Sequence, residues 1–325
     1  VKLLLALICL CTSVVSNLVY GQATGAASYP ARPIRIIVPY AAGGGVDQMA
    51  RTVGERLQRQ IGQAVIIENR PGGSTTLGTG LVAAAQPDGY TLLMATTPLV
   101  VNPSIKKNLS FNTETDLIPV LLVATYPTLL VVHPSLPVHT VKELIDYAKA
   151  NPGKLNYGSV GAGSSTHLAA ELFKDTASLD MAHIPYNGST PASVDLLSGR
   201  IQLMFATMIT ALPYAQDGKL RALAVSTPNR SPAAPNIPTV AETGLPDFDV
   251  TSFYGLMAPK GTPEAIIQKL RDIVAQEMLK PEVVAQFKKE GVEIVASQTS
   301  EFDAFLKREY KKWAHVVKVA GITEN

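Results

Sequence analysis

The sequence predicts an α/β protein of two lobes, each a mostly parallel sheet flanked by helices. Three observations carry that prediction. Short β-branched runs alternate with amphipathic segments in two successive series. Each series contains a turn of small residues between a strand and a helix, at Ala41–Gly45 and at Gly158–His167. A chain of 325 residues is also long enough for two domains of ordinary size.

The first 23 residues stand apart. Lys2 precedes the apolar run Leu3–Leu10, and Gly21-Gln22-Ala23 offers a small-residue cut site, the pattern of a secretory signal peptide. The run is too short to span a bilayer. Cys9 and Cys11 both lie inside it, preceded by Ile8 and Leu10, where a lipid anchor would want a small residue. The mature chain would then hold no cysteine for a disulfide, a thiol or a metal. An exported, soluble protein is expected.

From Tyr29, strands are expected at Ile34–Val38, Ala64–Glu68, Tyr90–Ala95 and Val120–Ala124, with helices over Val46–Gln60 and about Thr75–Ala85. Thr128–His133 reads as a separate strand after Thr125-Tyr126-Pro127. The second series opens with Thr140 and Glu143 as a capping box. Strands at Leu155–Gly158, Ala182–Pro185, Ile201–Phe205 and Leu220–Ser226 follow, with helices at Ser165–Asp175, Pro191–Ser198 and Leu212–Gln216 between them. Thr227–Asp249, rich in Pro and Asn, reads as a surface connection. After a strand at Val250–Ala258, Thr262-Pro263-Glu264 gives an N-cap, an N1 proline and an acid. Ile266, Ile267, Leu270, Ile273, Val274 and Met278 then trace one apolar face. Helices at Pro281–Glu290 and Ser300–Val319 close the chain, the last with a solvated face of Lys307, Arg308, Lys311 and Lys312. Lobe 1 is expected to comprise 29–125 and 227–325, and lobe 2 to comprise 126–226.

The first small-residue turn organises the chemistry. Ile36, Ile37 and Val38 have the composition of a buried parallel strand, which Pro39 stops. Ala41-Ala42-Gly43-Gly44-Gly45 then leads into the helix, so unpaired backbone N–H groups meet the positive end of a helix dipole. That spot suits a carboxylate or phosphate; the alternative is a tight turn and nothing more. Asp47 would favour the dipole or orient the loop. In the second turn, Ser159, Ser164, Ser165 and Thr166 add hydroxyls. Two such turns, one per lobe, would hold a small anion across a cleft. Tyr186-Asn187-Gly188-Ser189 and Phe205-Ala206-Thr207 lie at strand ends, where open α/β sheets place ligands, and Thr96 and Thr97 match them in the first lobe. His167 either packs against its own loop or donates to ligand.

Other classes fit poorly. A net charge of +2 with no basic tract gives no argument for nucleic acid. Gly161-Ala-Gly163-Ser-Ser-Thr166 only approximates a dinucleotide fingerprint, and neither GxxxxGK[ST] nor GxSxG occurs. The five histidines show no metal-binding spacing. A hydrolase built on Ser164, His167 and Asp175 lacks a strained nucleophile turn.

With these residues assembled, the chain resembles the Bug-type extracytoplasmic solute-binding proteins associated with tripartite tricarboxylate transporters. The resemblance rests on Tyr29-Pro-x-Arg-Pro-Ile34, Pro39-Tyr-x-Ala-Gly-Gly44 with Asp47, Glu68-Asn-Arg-Pro-Gly-Gly73 and Pro87-Asp-Gly-Tyr-Thr-Leu92. Further matches are Asn156-Tyr-Gly-Ser159, Gly163-Ser164 with His167-Leu168, His183-Ile-Pro-Tyr186, Gly218-Lys-Leu-Arg-Ala-Leu223, Pro238-Thr-Val-Ala-Glu242, and Trp313-Ala with Ala320-Gly-Ile322. It implies a type II periplasmic-binding fold that closes like a Venus flytrap, with no catalysis, cofactor or metal. Carried over residue by residue, it implies ligand contacts at Tyr40, Ala42, Gly43 and Thr97, and at Ser159, Gly163, Ser164, His167 and Tyr186. Gly44, Ala206 and Thr207 join this set from the loop and strand-end positions. Members often carry an Asp where this chain has Ala206, a partner for a ligand ammonium; its loss points to a carboxylate without an amine. The expected partners are this ligand and a membrane permease, the protein itself acting as a periplasmic monomer. A sensor component presenting ligand to a receptor, or an exported hydrolase, are the alternatives.

Overall fold

The computed structural model describes residues 29–319; the expected signal segment with Cys9 and Cys11, and the Ala320-Gly-Ile322 match, lie outside the described residues. The first series runs β1 (Ile34–Val38), α1 (Gly45–Ile61), β2 (Val65–Asn69), α2 (Thr76–Ala83), β3 (Thr91–Ala95), α3 (Pro98–Ile105) and β4 (Leu117–Val132). The second runs α4 (Val141–Ala150), β5 (Leu155–Ser159), α5 (Ser165–Ala177), β6 (Met181–Pro185), α6 (Ser189–Leu197), β7 (Leu203–Thr207), α7 (Met208–Gln216) and β8 (Arg221–Val225). The chain then returns through β9 (Thr251–Pro259), α8 (Glu264–Met278), α9 (Pro281–Lys289), β10 (Glu293–Ile294) and α10 (Thr299–Val319).

Two lobes result, as expected, and each adds antiparallel members to its parallel strands, so the sheets are mixed. β1 runs parallel to β2 and β3, and β5 runs parallel to β6 and β7. β9 runs antiparallel to β3, and β4 antiparallel to β7, β8, β9 and β10. The reversed strand is the returning β9 in the first lobe and β4, which passes through both sheets, in the second. The sequence suggests two strands broken at Pro127, whereas β4 is one strand of 16 residues. Pro127 is the last residue paired with β9, and Thr128 the first paired with β7. A proline at the end of one ladder removes no bond from its interior.

Both faces of β1 are buried. Ile34, Ile36 and Val38 join Met49, Val53 and Leu57 of α1 in one core, while Ile37 joins Leu93, Phe302 and Trp313 in the other. The apolar stripe of α1 expected from periodicity, Val46, Met49, Ala50, Val53 and Leu57, is the face it buries. Thr140 caps α4 by accepting from the Glu143 amide, and Glu143 accepts from the His139 amide. Two expectations fail locally. Thr262 does not cap α8: the N-cap position falls on Pro263, which has no side-chain acceptor, and the Thr262 hydroxyl donates to the Pro259 carbonyl. α3 has no signature in the sequence, with Pro98 at its start and Pro103 inside it, yet burial of Leu99, Val100, Val101 and Ile105 imposes it.

Where the lobes join, Ser226 ties three segments. Its hydroxyl accepts from the Thr128 amide at 2.9 Å and donates to the Val250 carbonyl at 2.6 Å. Its own amide donates to the Thr128 carbonyl. Replacing Ser226 by Ala leaves a buried N–H and a buried C=O each one partner short, so stability is expected to fall by about 1–3 kcal/mol in urea unfolding; a change within about 0.5 kcal/mol would show that the crossing does not need this hydroxyl.

Candidate functional site

α1 begins at Gly45 with Gly44 as N-cap and no side-chain cap. The amides of Gly45, Val46 and Asp47 therefore have no acceptor within their own helix. Gly45 also has no room for a side chain, since a Cβ there would stand 2.6 Å from Ile209 Cγ2 and 2.7 Å from the Tyr254 hydroxyl. Asp47 orients the loop. Its carboxylate accepts from the Gly43 amide, Asn69 Nδ2 and Arg51 Nε, and Asn69 also donates to the Tyr40 carbonyl. Burial alone would raise the Asp47 pKa, but these donors outweigh it and hold the group below its ordinary value.

The second-lobe turn is braced in the same way. Ser164 caps α5 by accepting from the His167 amide and donates to the Gly161 carbonyl. Gly163 has φ +72°, and a Cβ on it would stand 2.8 Å from Ile105 Cδ1 of α3, so glycine serves both conformation and approach. At the lip, the Ala41 amide donates to the Asn187 carbonyl at 2.9 Å, and Thr190 Oγ1 donates to the Ala42 carbonyl at 2.9 Å.

Behind this lip lies a cavity into which helix starts converge. Gly44, Gly45 and Val46 line it from α1, Ser165 from α5, Ser189 from α6 and Thr207, the N-cap of α7. Pro98 of α3 also lines it but brings no N–H. Tyr40, Thr96, Tyr126 and Val160 complete the wall, with Tyr40 hydrogen-bonded to Thr96 Oγ1 at 3.0 Å. No charged side chain is among these lining residues. The space open to the centre of a water molecule is about 10 Å³, room for one water. Four positive helix ends with hydroxyls between them can stabilise an anion without a countercharge.

Of the residues singled out from the sequence, Tyr40, Gly44, Gly45, Thr96, Ser165, Ser189 and Thr207 lie on this wall. Ala42 and Gly43 are exposed at the lip. Thr97 is buried beside Thr96, its hydroxyl unpartnered among the described residues. Ala206 is buried in β7, next to Thr207. Tyr186 donates to Asp195 at 2.8 Å. Ser159, Gly163, Ser164 and His167 bond to one another's loop rather than line the cavity. Ser165 and Ser189 are the ones that the turn and strand-end rules find, since both open helices after strands. Tyr126 has no local signal, because nothing near it tells which way the middle of a long strand faces.

Beneath the second turn, three rings stack. His167 lies 4.2 Å from His183, and His183 lies 4.9 Å from Tyr157. His167 Nδ1 accepts from the Gly163 amide at 3.1 Å, which fixes a neutral ring with its proton on Nε2. Ser159 Oγ bonds His183 Nε2 at 2.6 Å and accepts from the Gly161 amide. Burial lowers the His167 pKa to about 4, with Glu171 opposing and Lys174 assisting. Burial, then the neighbouring His167, lowers His183 to about 3.

Comparison with known proteins agrees with this architecture. The family model for the tripartite tricarboxylate transporter family receptor matches residues 49–322. Protein BugT of Bordetella pertussis is 37% identical over 296 residues, covering 90% of this chain and 91% of its own. The structure of R. palustris Rpa4515 with adipate superposes with a TM-score of 0.89 at 34% identity, over 91% of this chain and 99% of that one. MatC from Rhodopseudomonas palustris, solved with bound malate, gives 0.84 at 29% identity, over 89% of this chain and 100% of that one.

A histidine whose folded pKa is depressed adds its full stability above the unfolded value near 6.5 and loses it as pH falls toward the folded value. Between pH 6.5 and 4, His167 is expected to withdraw about 3 kcal/mol from the unfolding free energy. His167→Gln should flatten that decline; equal pH slopes for the two proteins would mean that other groups carry it.

Proposed function

This chain belongs to the tripartite tricarboxylate transporter receptor family, and from that premise we propose that it binds a small carboxylate outside the cytoplasm and delivers it to a membrane permease. One observation carries the reading: helix starts from both lobes converge on a cavity whose wall has no charged side chain. Such a wall answers a carboxylate with peptide dipoles and hydroxyls alone. Members of a receptor family bind and release solute, so no residue is assigned a catalytic role. The relatives solved with adipate and with malate make dicarboxylates the first ligands to test.

The ligand lacks an amine. Ala206 stands beside Thr207 at the end of β7, and no carboxylate lines the cavity to pair with an ammonium. Tyr40, Gly44 and Thr207 touch the solute. Ala42 and Gly43 form the lip, while Thr97, Ser159, Gly163, Ser164, His167, Tyr186 and Ala206 hold those contacts in place.

Room for one water cannot seat a dicarboxylate, so binding requires the lobes to part. The lobes are 29–125 with 227–325, and 126–226, turning about β4 and the Ser226 crossing. A solute first meets the amides of α1; the second lobe then closes and adds those of α5, α6 and α7. The leader is removed on export, and the mature protein works as a monomer. In a thermal-shift panel of adipate, malate, succinate, glutarate and benzoate, at least one should raise the melting temperature, by an amount equivalent to roughly 2.7 kcal/mol at 100 times Kd. Aspartate and glutamate should bind weakly by calorimetry; tight binding of either defeats the amine assignment, and a flat panel defeats the carboxylate reading.

A further inference from the structure

Tyr254 of β9 has no part in the family resemblance as a site residue, yet its side chain ends against Gly45, which lines the cavity. The residue is fully buried, and its ring stacks on Tyr126, which lines the cavity, with centroids 4.2 Å apart and planes 21° from parallel. Its hydroxyl stands 2.7 Å from the position a Cβ on Gly45 would take, and that same position is 3.9 Å from Thr207 Oγ1. The oxygen thus sits between the first turn of α1 and the N-cap of α7, at the junction of the two lobes.

That hydroxyl makes no well-formed hydrogen bond among the described residues. The Tyr126 hydroxyl, on the ring stacked against it, is near enough to interact with it electrostatically. Burying a phenol without a partner is costly, and a fold keeps such a group where something else supplies the bond. Burial, with Tyr126 and Tyr40 nearby, pushes its pKa well above the ordinary value, so it stays a protonated donor. Its neighbours at the start of α1 are amides, also donors. Amide donors and hydroxyls with no carboxylate among them are complementary to an acceptor oxygen and leave an ammonium without a countercharge.

We propose that Tyr254 is a specificity-determining residue of this site, its hydroxyl donating, together with the first amides of α1, to a carboxylate oxygen of the bound solute. This rests on the carboxylate reading above, and it names a side chain that reads the anion among otherwise main-chain donors.

Tyr254→Phe removes the oxygen and nothing else. The variant and the parent chain are to be titrated calorimetrically with the same five carboxylates, and melted without ligand. Binding is expected to weaken about 10- to 100-fold. Without ligand, the variant should melt at the same temperature or higher, because an unpartnered buried hydroxyl has been deleted. Equal affinities in the two proteins would overturn the assignment and leave the carboxylate reading standing. A ligand-free melting temperature lower by about 3 °C or more would show that the hydroxyl serves the fold, through Tyr126 or another partner, and would also overturn it. If the parent chain binds none of the five, the carboxylate reading fails and this assignment falls with it.

Discussion

The first-turn amides of a helix cannot bond within that helix, and here α1, α5, α6 and α7 all turn theirs toward one small space. In water such groups are solvated cheaply. Inside a cavity walled by Tyr40, Tyr126, Val160 and Pro98 they are not, and the partial positive charge of each helix end is little screened. The wall supplies no carboxylate to neutralise them. An anion therefore fits the cavity electrostatically, and the charge it carries needs no lysine or arginine beside it.

The surroundings serve to hold those amides still. Asp47 is charged and sits in the first turn of α1, where its carboxylate would compete with a bound anion if it faced inward. It is turned outward to Gly43, Asn69 and Arg51, so its charge is spent on the loop's shape. In the second lobe the same task falls to uncharged groups. Ser164 caps α5, His167 receives the Gly163 amide, and Ser159 links His183 to the Gly161 amide. A neutral imidazole does this work only while burial keeps it unprotonated, which ties the turn's geometry to the ring stack beneath it.

A cavity sealed at the lip makes binding and motion one process. The Ala41–Asn187 and Thr190–Ala42 bonds join the lobes at their free edge, while β4 and the Ser226 crossing join them at the other. Lip bonds are few and lie near solvent, where water can replace them. At the crossing, a continuous strand and a buried hydroxyl resist separation. An opening that breaks the first set and bends the second is the motion this distribution favours.

Local residues by themselves determined most of the local structure. The β-branched run of β1, the stripe of α1, the capping of α4 and the glycine turn at Gly43–Gly45 follow from side-chain shape and backbone freedom over a few residues. An anion site at a helix start could be read from the same stretch, because an unpaired first turn is a property of any helix. The continuity of β4 through Pro127, the existence of α3 and the mixed sheets were decided by packing, since each depends on neighbours far along the chain. The cavity most of all belongs to the tertiary structure. Its wall draws on residues from Tyr40 to Thr207, and Tyr254 backs Gly45 and Tyr126 from a strand that returns after the second lobe is complete. No sequence window spans those positions, and only the folded sheets fix which hydroxyls meet.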